Sequence, residues 1–234
     1  MSKHQKALSS PKTYPVKRKG RPWVTKPSPG PHPKEECLPL GIIIRDVLGY
    51  VEDIKEVKKV LEEGKCDVDG KTARDHRFPV GLFDSLRIGK EYFRVLPSKK
   101  GFKLVETTKK DAKKKIFRVE NKRILKGGKV QLNLSSGKNI ISEELSNLET
   151  GSSVILSLPD LELEETIELK KGQEIMIIKG KNRGKIAVFD KRKVLKGSNK
   201  NRVIVSREGK DIDLPEDFIF PVDKKKIKLV EDGS

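Results

Sequence analysis

Two cysteines, Cys37 and Cys66, are the only thiols in this chain of 234 residues. A pair is too few for a disulfide framework or for a four-ligand zinc site. Histidine is nearly as scarce. His4, His32 and His76 are the three present, so the remainder of the chain lacks the side chain most used for acid–base work near neutral pH. Residues 106–234 also contain no Gly-rich Lys-Ser/Thr phosphate loop and no His-Glu zinc motif. Long apolar runs are missing as well. Ile42–Ile44 is interrupted at once by Arg45 and Asp46, against the roughly 18 apolar residues a membrane span requires. Near the start, Lys3, Lys6 and Lys12 are followed by prolines and more charge rather than by an apolar core, which speaks against a signal peptide. No membrane, metal, cofactor or small-molecule substrate is expected, and a cytoplasmic location is.

What the chain has is positive charge. There are 52 Lys and Arg against 34 Asp and Glu, a formal net charge of +18, which predicts a polyanionic partner. The hydrophobic fraction of 34% is low for one large core, so one to three small domains with charged surfaces are expected. Aromatic residues make up 5%, and most Phe and Tyr stand at positions that read as buried. Recognition by phosphate contacts and shape is therefore favoured over rows of stacked bases.

Residues 1–39 hold eight of the thirteen prolines, nine Lys or Arg and two acids, Glu35 and Glu36. With little to bury, this segment reads as a basic extension that orders on phosphates rather than one that folds alone. Lys17, Arg18, Lys19 and Arg21 surround Trp23, which either stacks on a base or plugs a domain surface. Lys26 to Pro33 reads as an extended, polyproline-type strap.

From residue 40 the pattern becomes helical: Leu40, Ile43, Ile44, Val47 and Leu48 share one face, and Gly49 ends it. A second helix starts at Asp53 with Glu56 three residues later, puts Ile54, Val57, Val60 and Leu61 inward, and stops at Gly64. Its outer face carries Lys55, Lys58 and Lys59. Asp69-Gly70 predicts a tight hairpin after Cys66 and Val68, and strand-like residues follow from Leu86 to Leu96. The lysine-rich residues 106–115 read as a linker or exposed strand edge. Short β-type runs come next, at 116–119, 130–134, 140–141, 154–158 and 166–169. From Lys171, two strands flank Gly180, Lys181, Asn182, Arg183 and Gly184, and later runs are spaced as in a small five-stranded barrel.

The segment from Arg45 to Ile88 resembles the small two-helix RNA-binding module named after bacterial ribosomal protein S-four. The similarity rests on Arg45 to Leu48, Val57 to Leu61 and Gly64 to Gly70. Lys171 to Val188 resembles a KOW motif. With Lys17 to Trp23 and the strap, the order of modules resembles the four-e proteins of the small ribosomal subunit of archaea and eukaryotes along nearly the whole chain. The resemblance implies a multidomain α+β protein: a basic N-terminal extension (1–39), a two-helix plus β RNA-binding module (40–105), a central β domain (106–170), and an SH3-like KOW β-barrel with the C-terminal tail (171–234). It implies a structural, non-enzymatic role in the ribosome, with small-subunit ribosomal RNA and neighbouring ribosomal proteins as partners.

The residues expected to meet RNA are Lys12, Lys17, Arg18, Lys19, Arg21, Trp23 and Lys26 in the extension. In the module they are Arg45, Lys55, Lys58, Lys59, Lys65, Lys71 and Arg74, and in the C-terminal loop Lys179, Lys181, Arg183 and Lys185. Arg45 either meets RNA or pairs with Asp46, and the loop cations face either RNA or a neighbouring protein. Two other classes compete with this reading. A KOW-containing transcription or translation factor gains little from a long basic strap. An RNA-modifying enzyme, or its accessory subunit, would need chemistry in residues 106–234, where Asp211 and Asp213 are the nearest approach to paired carboxylates and read as a solvated edge.

Overall fold

A computed structural model describes residues 4–142, 144–196 and 200–223; the C-terminal tail from residue 224 lies outside the described residues. The chain divides into two units, Met1–Lys113 and Lys114–Ser234.

In the first unit, β1 (Cys37–Pro39) leads directly into α1, whose helical turn Leu40–Ile42 continues as a π-helical segment, Ile43–Val47. Leu40, Ile43 and Ile44 are fully buried, as the spacing predicts. The helix is wider than expected, however, because the Leu48 N–H donates to the Ile43 carbonyl five residues back at 2.9 Å. Gly49, at φ +68°, ends it.

α2 (Ile54–Glu62) begins where predicted, with the Asp53 N–H donating to Glu56 Oε2 at 3.5 Å. Val57 and Leu61 are fully buried one turn apart, while Lys55, Lys58 and Lys59 are exposed on the other side.

The chain then builds β2 (Cys66–Val68), β3 (Lys71–Thr72), β4 (Pro79–Gly81), β5 (Ser85–Ile88), β6 (Glu91–Ser98) and β7 (Gly101–Glu106). Five of these form an antiparallel sheet in the order β3-β2-β5-β6-β7, and β1 pairs with β4. The β2–β3 turn uses Asp69 and Gly70, both at positive φ (52° and 76°), the backbone that a two-residue hairpin with right-handed twist demands. The core of this unit joins the α1 and α2 apolar faces to Val68, Leu86, Phe93 and Val95, and it also includes Tyr14 and Leu38 from the N-terminal segment.

A short helix, α3 (Lys109–Ala112), is capped by Thr108, whose hydroxyl accepts from the Asp111 N–H at 3.2 Å. The two units divide at Lys113/Lys114, within the lysine-rich residues 106–115, most of which are exposed, and one lysine of that stretch departs from the expectation. Lys115 is 1% exposed, in the interior of a strand, with its ammonium 4.9 Å from the Phe117 ring centroid.

That strand, β8 (Lys114–Ile124), opens the second unit and is followed by β9 (Val130–Leu134), β10 (Asn139–Ser142), β11 (Ser153–Ser157) and β12 (Leu163–Ile167), arranged β10-β9-β8-β11-β12. Phe117, Val119, Leu132, Val154 and Leu156 form its core. A second antiparallel sheet comprises β13 (Glu174–Ile177), β14 (Ile186–Lys193), β15 (Arg202–Arg207), β16 (Lys210–Pro215) and β17 (Ile219–Pro221), in the order β16-β15-β14-β13-β17. Ile175, Ile177, Val203, Val205 and Ile219 fill its interior. Among the described residues, no helix is long and apolar enough to cross a membrane.

Candidate nucleic-acid interface

The basic N-terminal segment is packed against the rest of the first unit. Its residues 7–22 are closed into a loop by a β-bridge between Lys6 and Trp23, in which the Ala7 N–H donates to the Pro22 carbonyl at 3.0 Å and the Val24 N–H to the Gln5 carbonyl at 2.9 Å. Tyr14 anchors the loop by burying its ring in the core. Thr13 presses its carbonyl onto the β6–β7 turn so closely that a Cβ at Gly101 would stand 2.5 Å from that oxygen. Farther along, the strap is tied to the loop before β4. The Ser28 N–H donates to the Arg77 carbonyl at 2.9 Å, and Arg77 Nε donates back to the Lys26 carbonyl at 3.0 Å.

His32 completes the attachment. Its Nε2 lies 2.9 Å from Oδ1 of Asp84, a fully buried carboxylate that also accepts from the Gly81 N–H at 2.9 Å. The imidazole occupies the space a side chain at Gly81 would need, 2.3 Å from an ideal Cβ. The segment expected to order on phosphates thus has its own docking surface. The signals are scattered single residues, Tyr14, His32, Gly81 and Gly101, which no local periodicity marks.

Docking exposes the cations. Lys12, Lys17, Arg18, Lys19 and Arg21 are all exposed, with Arg18 Nη2 donating to the Ser10 carbonyl at 3.3 Å; Lys26 is half-buried. Trp23 is 55% exposed, with the His4 ring 5.7 Å away and tilted by 59°, and the Lys6 ammonium 6.0 Å from its centroid. The sequence does not single out Lys6 and His4, because only the bridge brings them to Trp23.

Arg45 sits on the π-helical segment and pairs with its neighbour, Nε donating to Asp46 Oδ1 at 3.1 Å and Nη2 to Oδ2 at 2.8 Å. In this pair Arg45 is half-buried, with 14% of its side chain exposed. Arg45 and Asp46 line a cleft together with Lys17, Arg21 and Trp23. Distant in sequence, these residues are gathered by the docked loop.

Elsewhere in the first unit, Lys55, Lys58 and Lys59 present a basic face on α2, Lys71 and Arg74 are exposed around the hairpin, and Lys65 is exposed but paired with Glu63. In the second unit, the β13–β14 connection carries Lys181 exposed and Lys179, Arg183 and Lys185 half-buried. It is a closed loop, with the Gly184 N–H donating to the Ile177 carbonyl at 2.7 Å and the Arg183 N–H to Gly180 at 3.3 Å. Asp217 lies near this loop. Burial raises its pKa, but Lys200 at 2.7 Å and then Lys179 outweigh that and hold it below the ordinary value. Asp213, on the edge strand β16, is taken up by Arg202 Nε at 2.7 Å and Lys193 at 3.4 Å. Asp211 beside it is exposed.

Comparison with known proteins shows similarity to a ribosomal family. The model of the ribosomal family S4e matches residues 89–163, and that of the RS4NT domain matches residues 1–35. A small ribosomal subunit protein eS4 from Archaeoglobus fulgidus is 39% identical, covering 95% of this chain and 94% of the relative. The protein of that name from Staphylothermus marinus is 38% identical over 98% of this chain and 96% of its own length. Among solved structures, the crystal structure of the 30S ribosomal protein S4e from Thermoplasma acidophilum superposes with a TM-score of 0.72 at 28% identity, covering 84% of this chain and all of the other.

Proposed function

The chain belongs to the ribosomal family S4e, and from that membership we propose that it is a structural constituent of the small ribosomal subunit, binding ribosomal RNA in the cytoplasm and supporting subunit assembly and translation. The observation that carries this reading is similarity to eS4 proteins over nearly the full length. The docked basic loop supports it physically, because exposed cations held together by contacts within the chain suit a polyanion.

Within this reading the chain acts in four parts: the basic extension, the two-helix module of residues 40–105, the central β domain of residues 106–170, and a C-terminal sheet that corresponds to an SH3-like KOW barrel. The RNA contacts are the cations named above, led by Lys17, Arg18, Lys19 and Arg21, with Lys55, Lys58 and Lys59 on α2 and Lys181 and Arg183 in the C-terminal loop. Neighbouring ribosomal proteins are the second class of partner. The role is structural rather than enzymatic.

Sedimentation of a cell lysate tests the reading. The protein is expected to travel with the small subunit, one copy per particle, in both low and high salt. A pool that is soluble at high salt, or that follows RNA polymerase, would favour the transient-factor reading instead.

A further inference from the structure

A half-open cleft lies beside Trp23. Lys17, Gly20, Arg21 and Trp23 of the N-terminal segment, together with Arg45 and Asp46 of the π-helical segment, are among the residues that line about 390 Å3, within the range of roughly 300–1,000 Å3 typical of pockets that hold small organic ligands. Three cations and one carboxylate line it, so its field is positive. Asp46 occupies two of the Arg45 N–H groups, which fixes the guanidinium plane while leaving the others to donate. Lys17 and Arg21 are exposed and, among the described residues, are in no ion pair. The indole of Trp23 is more than half exposed, although the β-bridge holds its backbone on both sides. A large aromatic side chain kept in the open on a fixed backbone has surface to cover and little entropy left to lose in covering it.

From this juxtaposition we propose that the cleft receives one unpaired nucleotide of the RNA, with its base against Trp23 and its phosphates against Lys17, Arg21 and Arg45. The inference rests on the RNA-binding reading above and adds a requirement to it. A base inside a helix has no free face, so this site reads whether a nucleotide is paired, which phosphate contacts elsewhere on the chain do not. Free nucleotides share the same chemistry and differ in lacking flanking phosphates.

Trp23 is the only tryptophan, so the emission of the full-length protein reports on the cleft. The protein is titrated with a short single-stranded RNA, with a blunt duplex of matched phosphate number, and with free nucleoside monophosphates, while filter retention measures total RNA binding in parallel. Single-stranded RNA is expected to quench Trp23 as it binds. The duplex is expected to be retained without quenching, and the monophosphates to need concentrations at least about 100-fold higher, because they lack neighbouring phosphates. Trp23→Ala is expected to weaken single-stranded binding by roughly 5- to 150-fold and to leave duplex binding within about 2-fold. Arg21→Ala, which keeps both the indole and the bridge, weakens the quenching titration and guards against a merely misfolded Trp23 variant.

Retention of single-stranded RNA without quenching overturns the proposal while leaving the wider RNA-binding reading intact. So does equal quenching by the duplex, equal potency of the monophosphates, or a Trp23→Ala loss shared by both RNAs. In a further titration, quenching by small-subunit proteins with none by single-stranded RNA would reassign the cleft to a protein partner and overturn it too. If no RNA is retained at all, the wider reading falls and this site with it.

Discussion

At Cys37, burial pushes the thiol pKa up to about 12, reinforced by the negative charges of Asp84 and Glu35 and partly offset by the Tyr14 hydroxyl. Burial does the same at Cys66, also to about 12, where Asp67 raises the value further and Arg87 opposes it. The folded state therefore keeps both thiols protonated at pH values where an unfolded thiol, with a pKa near 8.5, has ionised. Their contribution to stability is complete below about pH 8.5 and is lost as pH rises from there toward 12. Urea midpoints are expected to fall between pH 8 and pH 10, and the thiol part of that fall to disappear in Cys37→Ala/Cys66→Ala. Iodoacetamide at pH 8 is expected to label neither cysteine until denaturant is added. At Gly81 the constraint is steric. Gly81→Ala drives a methyl into the His32 ring and is expected to cost about 1–3 kcal/mol in urea unfolding. His32→Ala in the same chain should recover part of that loss, as a double-mutant cycle requires for two residues that touch.

The elements that matter most for the proposed function are the docked basic loop and α2. The loop is a non-periodic element held by one bridge, one buried tyrosine and the close backbone approach of Thr13 to Gly101, so its shape does not depend on the charges it displays. Lys17→Ala/Arg18→Ala/Lys19→Ala/Arg21→Ala is expected to flatten the plot of log K against log salt for ribosomal RNA. The slope should fall by roughly 0.7–0.9 for each phosphate that is no longer neutralised, read by filter binding across a salt series. An unchanged slope would mean that the loop does not touch RNA. In α2 the start is set by Asp53 and Glu56. Asp53→Ala is expected to destabilise the first unit by about 1 kcal/mol without altering that salt slope, since the exposed lysines remain.

For the molecule as a whole, the net charge of +18 is divided between two units that each have their own core. Charge in the first unit gathers on the loop, the outer face of α2 and the β2–β3 hairpin. In the second it includes the glycine-bounded connection between β13 and β14. Because the loop and this connection belong to separate units, their contributions to RNA binding should add. Combining the four loop substitutions with Lys181→Ala/Arg183→Ala is expected to lower the salt slope by the sum of the two separate reductions. A combined effect smaller than that sum would mean that one site binds only after the other.

Sequence alone determined what periodicity and turn chemistry encode. The two helices, the Asp69-Gly70 hairpin and the runs at 130–134 and 154–158 were all legible because each depends on residues a few positions apart: apolar spacing, an N-cap, a positive-φ glycine. The cations destined for the surface were legible for the same reason, since charge density needs no partner to be recognised. Only the tertiary structure decided which of them stand together. Lys115, one lysine among many in its stretch, is interior because β8 runs through the middle of its sheet, and Arg45 lines a cleft with Lys17, Arg21 and Trp23 because the N-terminal segment docks beside it. Trp23 meets His4 and Lys6 across a bridge, and the basic extension lies on its module because Tyr14 enters the module's core while Thr13 and His32 find Gly101 and Gly81 far along the chain. Such encounters are set by the entropy of closing long loops against the burial of a few well-fitted groups, and no window of sequence contains both sides of that balance.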